Sequence, residues 1–174
     1  MMQPRTGNYR WIVCSLLFFA TTINYLDRQV VGWLKPILEK EFKWTESDYS
    51  HIVMAFTASY ALGLLLFGRL VDKIGSKLGY TISVTVWSIA AMAHAAVKST
   101  FGFGVARSVL GIGESGNFPS AVKTVTEWFP KKERALAIGI FDSGSNIGAC
   151  IVPFLIPWIL GMYGWHAAFL ITGA

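Results

Sequence analysis

The chain has 174 residues, 53% of them hydrophobic and only 14% charged, with a formal net charge of +5 and a mean hydropathy of +0.49. This apolar excess excludes a single soluble domain, whose surface has to meet water, and indicates a membrane protein. The positive charge does not indicate a nucleic-acid-binding protein, because the basic residues lie mostly in loops between apolar runs, where orientation in a membrane explains them.

The apolar residues form runs of about twenty, the length that crosses roughly 30 Å of hydrocarbon as a helix. We predict an all-α integral membrane bundle with five complete spans and the start of a sixth. We expect residues 1–174 to be the N-terminal transmembrane half of a longer protein, truncated before its C-terminal half. The predicted spans are residues 11–34, 49–70, 78–97, 101–125, 134–160 and, incomplete, 165–174. The first run lacks the cleavage site of a secretory signal, so we expect it to be retained.

The lysines and arginines are distributed unevenly between the two sides of the predicted membrane. The N-terminal side carries Arg5, Arg10, Arg69, Lys73, Lys77, Lys123, Lys131, Lys132 and Arg134. The other side carries Lys35, Lys40, Lys43 and Lys98. Because cytoplasmic loops carry the excess of basic residues, we predict an inner (plasma) membrane protein with a cytoplasmic N-terminus.

The first span contains charges where the bilayer makes them expensive. Asn24, Asp27 and Arg28 interrupt an apolar run about two thirds of the way across. A charge inside a bilayer costs at least about 2.5 to 3.5 kcal/mol, so such residues usually face a cavity and serve function. The alternative is a helix end, with Arg28 reaching outward and Asp27 paired to it. The apolar Val30 and Val31 that follow argue against this alternative.

The next two spans carry weaker signals. Tyr60 lies mid-span, where its hydroxyl suits either a sugar hydroxyl or a backbone group, and the sequence does not choose between them. His94 has no second histidine or acid at ligand spacing, so we expect it to pack and expect no metal site. Cys14 and Cys150 both lie inside predicted spans, where we also expect packing rather than a disulfide.

The fourth span carries a second set of charges. Arg107 and Glu114 are seven residues apart, which places both on one helix face about 10 Å apart along the axis, and Asn117 extends that face by a turn. Gly113 and its small neighbours leave room beside the carboxyl group of Glu114. A structural ion pair between helices is the alternative, although a buried pair is weak evidence for stability.

Two acids and two arginines within the spans suit a carrier of anions. A buried guanidinium binds a carboxylate through a fork of donors, and a desolvated carboxyl group can hold or release a proton near neutral pH. Asp142, two turns into the fifth span, either pairs with Lys131 or Arg134 or lines the inner vestibule, and we leave both open. A membrane-embedded enzyme would need a nucleophile beside a base or a metal cluster, and the sequence displays neither, so we predict no enzyme.

The loop between the second and third spans reads GRLVDKIGSK over residues 68–77. It resembles the signature loop G-x-L-x-D-x-x-G-x-K/R of the major facilitator superfamily. The resemblance implies that Asp72 bridges to a neighbouring helix and holds the outward-facing state, with Arg134 as one candidate partner. The loop residues that match the motif are Gly68, Asp72, Gly75 and Lys77. Ser76 stands where that loop frequently has arginine.

Further motifs narrow the resemblance. The stretch RSVLGIG over residues 107–113 resembles the family's R-x-x-x-G-x-G. INYLDR over residues 23–28, GESGNFP over residues 113–119 and EWFP over residues 127–130 resemble the anion:cation symporter family, which includes bacterial hexuronate, galactonate and glucarate permeases. Asp142 departs from this family, in which asparagine is more usual at that position.

The resemblance implies symport of a proton with a sugar acid such as a hexuronate or an aldonate. The resemblance implies that Asp27 and Glu114 are the proton-carrying acids and that Arg28 is coupled to Asp27. It also implies that the substrate-binding residues are Arg28, Tyr60, Arg107 and Asn117, of which the last three lie in or beside the substrate cavity. The expected partners are the anion, the proton, the bilayer and the missing C-terminal half, with no cofactor and no nucleic acid. The alternatives are a major facilitator transporter of another organic anion or phosphate, and a non-transporting membrane fragment in which these charges would be replaceable.

Overall fold

The computed structural model describes residues 7–174, and this range is helical with no strand. The helices are α1 (Tyr9–Phe42), α2 (Glu46–Ile74), α3 (Ser76–Ala93), α4 (Thr100–Ser115), α5 (Asn117–Trp128), α6 (Arg134–Tyr163) and α7 (Trp165–Gly173), with a 3₁₀ turn at His94–Ala96. The predicted all-α fold is confirmed. Arg5, one of the basic residues used to predict orientation, lies outside the described residues.

The first helix is longer than the predicted span of 11–34. It continues to Phe42 through Pro36, which lies inside the helix without ending it. Leu34 and Leu38, one turn apart, are completely buried, so the added turns extend the buried apolar face of the helix. The helix ends where Lys43 adopts a left-handed conformation with φ 53°.

The predicted span of 101–125 is two helices in the structure. α4 ends at Ser115, and α5 begins at Asn117 after a bend at Gly116, whose N–H donates to the Gly113 carbonyl over 3.3 Å. The cause lies in the first turn of α5, because Pro119 has no N–H to donate to the Ser115 carbonyl. The single continuous helix expected for this span is therefore wrong.

Within residues 7–174, two helices are long and apolar enough to cross a membrane by length and composition, Glu46–Ile74 and Arg134–Tyr163. α4 and α5 have 16 and 12 residues, so each alone is shorter than a span. α1 is long enough, but it carries charged residues inside its apolar run. The prediction of five complete spans stays a prediction.

Glycines bring the paired helices close together. α1 packs along α6, and α2 packs along α4, with α3 also against α4. At Gly144 and Gly148 of α6, an added Cβ would lie 2.5 Å from the Phe18 carbonyl oxygen and 2.6 Å from the Thr22 carbonyl oxygen of α1. The close approach of helices expected from the small residues is thus present at this contact.

Buried polar side chains occupy a layer between apolar clusters. One cluster holds Leu26, Val30 and Leu34 of α1 with residues of α4, α6 and α7. A second holds Cys14 and Leu17 of α1 with residues of α5 and α6. The buried polar residues in the layer include Thr21, Asn24, Asp27, Arg107, Glu114 and Asn117. The fold therefore brings the charges of α1 and α4 together in the middle of the bundle.

Candidate functional site

Arg28 and Glu114 form an ion pair between α1 and α4. Arg28 Nε donates to Glu114 Oε2 over 3.1 Å, and Nη2 lies 3.0 Å from the same oxygen. The side chain of Glu114 is 0% exposed, whereas that of Arg28 is 25% exposed. Glu114 Oε1 is buried and has no hydrogen-bond partner within residues 7–174. One carboxylate oxygen thus holds the arginine while the other remains available to a proton.

Three aromatic rings surround the guanidinium of Arg28. Its Cζ lies 4.5 Å from the ring centroid of Tyr60, 4.8 Å from that of Tyr25 and 5.3 Å from that of Phe56. Such rings attract a cation and orient its planar group. The structure therefore brings Tyr60 to Arg28, as a neighbour of the cation. Phe56 was not predicted as a site residue, although it lies one turn from Tyr60. Tyr25 belongs to the polar patch predicted on the first span, but no role at the site was predicted for it.

Arg107 lies beside this pair and is almost fully buried. Its Nη1 donates to the Arg28 carbonyl oxygen over 3.3 Å, and its Cζ lies 5.6 Å from the ring centroid of Phe56. Arg107 Nε has no hydrogen-bond partner in the described part of the chain. Arg107 has donor capacity that its protein neighbours leave unused.

Both arginines line a cavity of about 640 Å³ between α1 and α2. Its other lining residues are Gln29, Val31, Gly32, Trp33, Pro36, Tyr49, Val53, Phe56 and Thr57. The volume is in the range of small-molecule sites, and the wall is mostly apolar and aromatic with two fixed cations. Such a cavity can hold a small organic anion with its charge at the arginines and its remainder against the rings.

Asp27 is buried apart from Arg28. It is 3% exposed, and neither carboxylate oxygen has a hydrogen-bond partner among the described residues. Its polar neighbours are Thr172 of α7, Glu114 and Arg107. Consecutive residues of a helix do not face each other, which explains why Arg28 meets Glu114 instead of the adjacent acid. The direct pairing of Arg28 with Asp27, which belonged to the helix-end alternative, is absent from the described residues, and the coupling of Arg28 to Asp27 implied by the resemblance stays a prediction.

Asn117 does not line the cavity between α1 and α2. Its Oδ1 accepts a hydrogen bond from Tyr80 Oη over 2.7 Å, and its Nδ2 donates to Thr21 Oγ1 over 3.4 Å. The bend at Gly116 separates Asn117 from the helix of Arg107 and Glu114. Both ends of its amide are occupied by protein groups in this structure, and its place in or beside the substrate cavity stays a prediction.

The α2–α3 loop is attached to α5. Gly75 joins the two helices with φ 88°, in the region that favours glycine. Lys123 Nζ donates to Asp72 Oδ1 over 3.2 Å and to the Val71 carbonyl oxygen over 2.8 Å. Ser76 Oγ donates to Glu127 Oε2 over 2.5 Å. The partner of Asp72 in this structure is therefore Lys123.

The other expected gating residues lie apart from Asp72. Arg134 donates to the carbonyl oxygens of Phe129 and Thr126 over 3.1 Å and 2.8 Å, so it caps the end of α5 instead of pairing with Asp72. Lys77 is exposed at the start of α3. An added Cβ at Gly68 would meet nothing within 4 Å.

Asp142, whose partner was left open, and His94, which was expected to pack, take different places. Asp142 is exposed and forms no ion pair with another described residue, Lys131 and Arg134 included. His94 is completely buried, with Nδ1 2.7 Å from the Ala90 carbonyl oxygen and its ring stacked on Phe169 at 5.0 Å. No group of three or more His, Cys, Asp or Glu that could hold a metal occurs within residues 7–174.

Ionisable side chains buried beside a cavity in an apolar helix bundle are typical of a membrane transporter. The chain belongs to the Major Facilitator Superfamily, whose model matches residues 17–174. This family and this fold are those of transporters and not of enzymes.

The chain is similar to several curated transporters, of which it spans less than half. It is 37% identical to the hexuronate transporter of Escherichia coli (strain K12) over 165 residues, which are 95% of this chain and 38% of that protein. It is 34% identical to the galacturonate transporter of Dickeya chrysanthemi over 165 residues, or 95% of this chain and 48% of that protein. It is 30% identical to the D-galactonate transporter of Escherichia coli O6:H1 over 169 residues, or 97% of this chain and 39% of that protein.

A solved structure shares the fold. The inward-facing, unoccupied crystal structure of a bacterial homolog of the human lysosomal transporter Spinster superposes with a TM-score of 0.83. The superposition covers 97% of this chain and 41% of that one at 24% sequence identity. At this identity the likeness concerns the fold alone.

Proposed function

We propose that the complete protein to which this chain belongs is a symporter that imports a sugar acid, such as a hexuronate or an aldonate, together with protons. It acts in the cytoplasmic (inner) membrane with its N-terminus in the cytoplasm. The observation that carries the proposal is the ion pair of Arg28 with Glu114 at the cavity, in which one buried oxygen of Glu114 has no partner in the described chain. The similarity to hexuronate, galacturonate and galactonate transporters supports the substrate class.

The pair couples the proton to the anion by competition for one guanidinium. Protonation of Glu114 removes the negative charge that holds Arg28 and thereby frees its donors. The substrate carboxylate then takes the place of Glu114 on Arg28, with Arg107 supplying a second cation at the cavity wall. Tyr60 lies close enough to Arg28 to contact the bound sugar acid as well. Loss of the proton restores the ion pair and expels the anion.

Asp27 is the second proton-carrying acid in this proposal. It is buried beside Arg107 and Glu114 without a hydrogen-bond partner among the described residues, and its charge is therefore costly there. The loop of Gly68, Asp72, Gly75 and Lys77 serves as the gate, held to α5 through Lys123. The missing half would supply the opposite wall of the cavity, so we expect no transport by residues 1–174 alone.

Uptake by the complete reading frame tests the proposal. Vesicles containing the protein are given labelled glucuronate, galacturonate and galactonate, with and without an inward proton gradient. We expect gradient-driven uptake of at least one of them and its loss in Glu114→Gln. The matched control is Glu41→Gln, which neutralises an exposed acid of α1 and should leave uptake unchanged. Well-folded protein that takes up no sugar acid would refute the substrate class and direct the search to other organic anions or phosphate.

A further inference from the structure

The bend between α4 and α5 lies two residues after Glu114 and is contacted on both sides by α3. Ser83 of α3 reaches the last turn of α4, and Tyr80, one turn earlier on α3, reaches the first residue of α5. Each contact is a hydrogen bond from a hydroxyl group. α3 therefore connects the two helix segments across their bend.

The contact on the α4 side lies one residue from Glu114. Ser83 Oγ is completely buried and donates to the Gly113 carbonyl oxygen over 2.6 Å. The Gly113 carbonyl already accepts the Gly116 N–H over 3.3 Å at the end of α4, so the hydroxyl of Ser83 is a second donor to the same oxygen. Gly116 allows the approach, since an added Cβ there would lie 2.7 Å from Ser83 Oγ.

The contact on the α5 side continues to α1. Tyr80 Oη donates to Asn117 Oδ1 over 2.7 Å, and Asn117 Nδ2 donates to Thr21 Oγ1 over 3.4 Å. Thr21 lies seven residues, about two turns, before Arg28 on α1. Three helices are thus joined around the bend, and one of them carries the cation that pairs with Glu114.

A buried or half-buried hydroxyl does not require a partner on another helix. Ser108 Oγ donates to the Gly104 carbonyl oxygen of its own helix over 2.9 Å, and Thr172 Oγ1 donates likewise to the Ala168 carbonyl oxygen. Ser83 had the same option within α3 but bonds across to α4. Its contact therefore does more than satisfy a buried polar group.

We propose that Tyr80, Ser83 and Asn117 form a brace that fixes the α4–α5 bend and thereby positions the Glu114 carboxylate on Arg28. They are positioning residues that do not touch the substrate. The effect on transport rests on the proposed function, whereas the effect on the ion pair does not. Loosening the brace lets the end of α4 shift, and Glu114 loses its aligned contact with Arg28.

Thermal unfolding of the purified complete protein tests the link to the ion pair without any transport. Ser83→Ala is measured in the native background and in the Glu114→Gln background, as a double-mutant cycle. We expect the melting temperature to fall less than half as far in the second background, because the pair that the brace aligns is already lost. Tyr80→Phe, which removes one hydroxyl and keeps the ring, should likewise lower the melting temperature less than half as far in the Glu114→Gln background. Equal falls in the two backgrounds would overturn the proposal.

Ser108→Ala is the matched control for the cycle, because it removes a serine hydroxyl from α4 that bonds only within its own helix. Its effect should be the same with and without Glu114→Gln. Coupling of equal size at Ser108 would mean that any hydroxyl near the site gives the result, and would likewise contradict the brace.

Transport gives the second readout. We expect Ser83→Ala and Tyr80→Phe to lower gradient-driven uptake about fivefold, the factor by which one net hydrogen bond shifts an equilibrium. Exchange of labelled for unlabelled substrate without a gradient should stay within twofold of the native protein, because it needs no net movement of protons. A proportional fall in both activities would show a merely structural role and overturn the proposal. If the native protein itself shows no uptake, the proposed function is refuted. The brace is then tested by the double-mutant cycle of thermal unfolding alone.

Discussion

The contact between α3 and α4 can be tested by giving Gly113 a side chain. An alanine Cβ at Gly113 would lie 2.7 Å from the backbone nitrogen of Trp87 and 3.0 Å from its Cα, whereas ordinary contacts begin at about 3.4 Å. Backbone atoms of α3 cannot swing aside as the end of a flexible side chain can. Gly113→Ala therefore forces the two helices apart beside Glu114.

The magnitude follows from a comparison with Gly104 on the same helix. An added Cβ at Gly104 meets nothing within 4 Å. Both substitutions gain about 1 kcal/mol from the better helix propensity of alanine, but only Gly113→Ala incurs the overpacking cost of about 1 to 3 kcal/mol. We expect Gly104→Ala to be neutral or stabilising, and Gly113→Ala to be about 1 to 3 kcal/mol less stable than Gly104→Ala.

The assay is thermal unfolding of the purified protein followed by tryptophan fluorescence, with size-exclusion chromatography to establish that each variant is folded at the start. Because Gly113 precedes Glu114, the shifted helix should also lower the proposed gradient-driven uptake in Gly113→Ala but not in Gly104→Ala. Equal melting temperatures for the two variants would refute the close packing of α3 on α4 at this position.

Two further results are expected. Asp48 lies at the start of α2, ahead of the predicted span, where hydrogen bonds from the hydroxyl and the N–H of Thr45 lower its pKa. The stabilising effect of the Asp48 carboxylate is therefore present above about pH 4 and is lost as the pH falls through the lowered pKa. The protection factors for hydrogen exchange in the first turn of α2, which compare each measured rate with the intrinsic rate at the same pH, should therefore be lower at pH 3 than at pH 6. Asp48→Asn should remove that difference, and a persistent difference would exclude this carboxylate as the cause. Cys150 is exposed, whereas Cys14 is 1% exposed. N-ethylmaleimide in detergent should therefore modify Cys150 in the folded protein and Cys14 only after unfolding, as read by mass spectrometry of residues 1–174. Two groups added to the folded protein would contradict the burial of Cys14.

The helices and the unusual charges could be predicted from local sequence. Long apolar runs place α2 and α6 within a few residues of their observed ends, since the length of a run and its flanking polar residues are local properties. The bend at Gly116 could not be predicted from Pro119 alone, because Pro36, Pro153 and Pro157 lie inside continuous helices of the same chain.

The partners of the charged residues could not be predicted in this way. Helical periodicity places Arg107 and Glu114 on one face, but it does not say which helix that face meets. The acid paired with Arg28 lies 86 residues away in the chain, while the adjacent Asp27 points elsewhere. In the same way, Lys123 and not Arg134 pairs with Asp72.

The sequence by itself thus determined that this is a helical membrane protein with buried charges and a signature loop, because hydropathy, spacing and motif are read along the chain. Only the tertiary structure decided that Glu114 holds Arg28 through a single oxygen and that Asn117 is hydrogen-bonded to Tyr80 and Thr21. The reason is physical. Ion pairs and hydrogen bonds between helices depend on distances of about 3 Å, and those distances are set where glycines let the helices approach, which no single helix specifies.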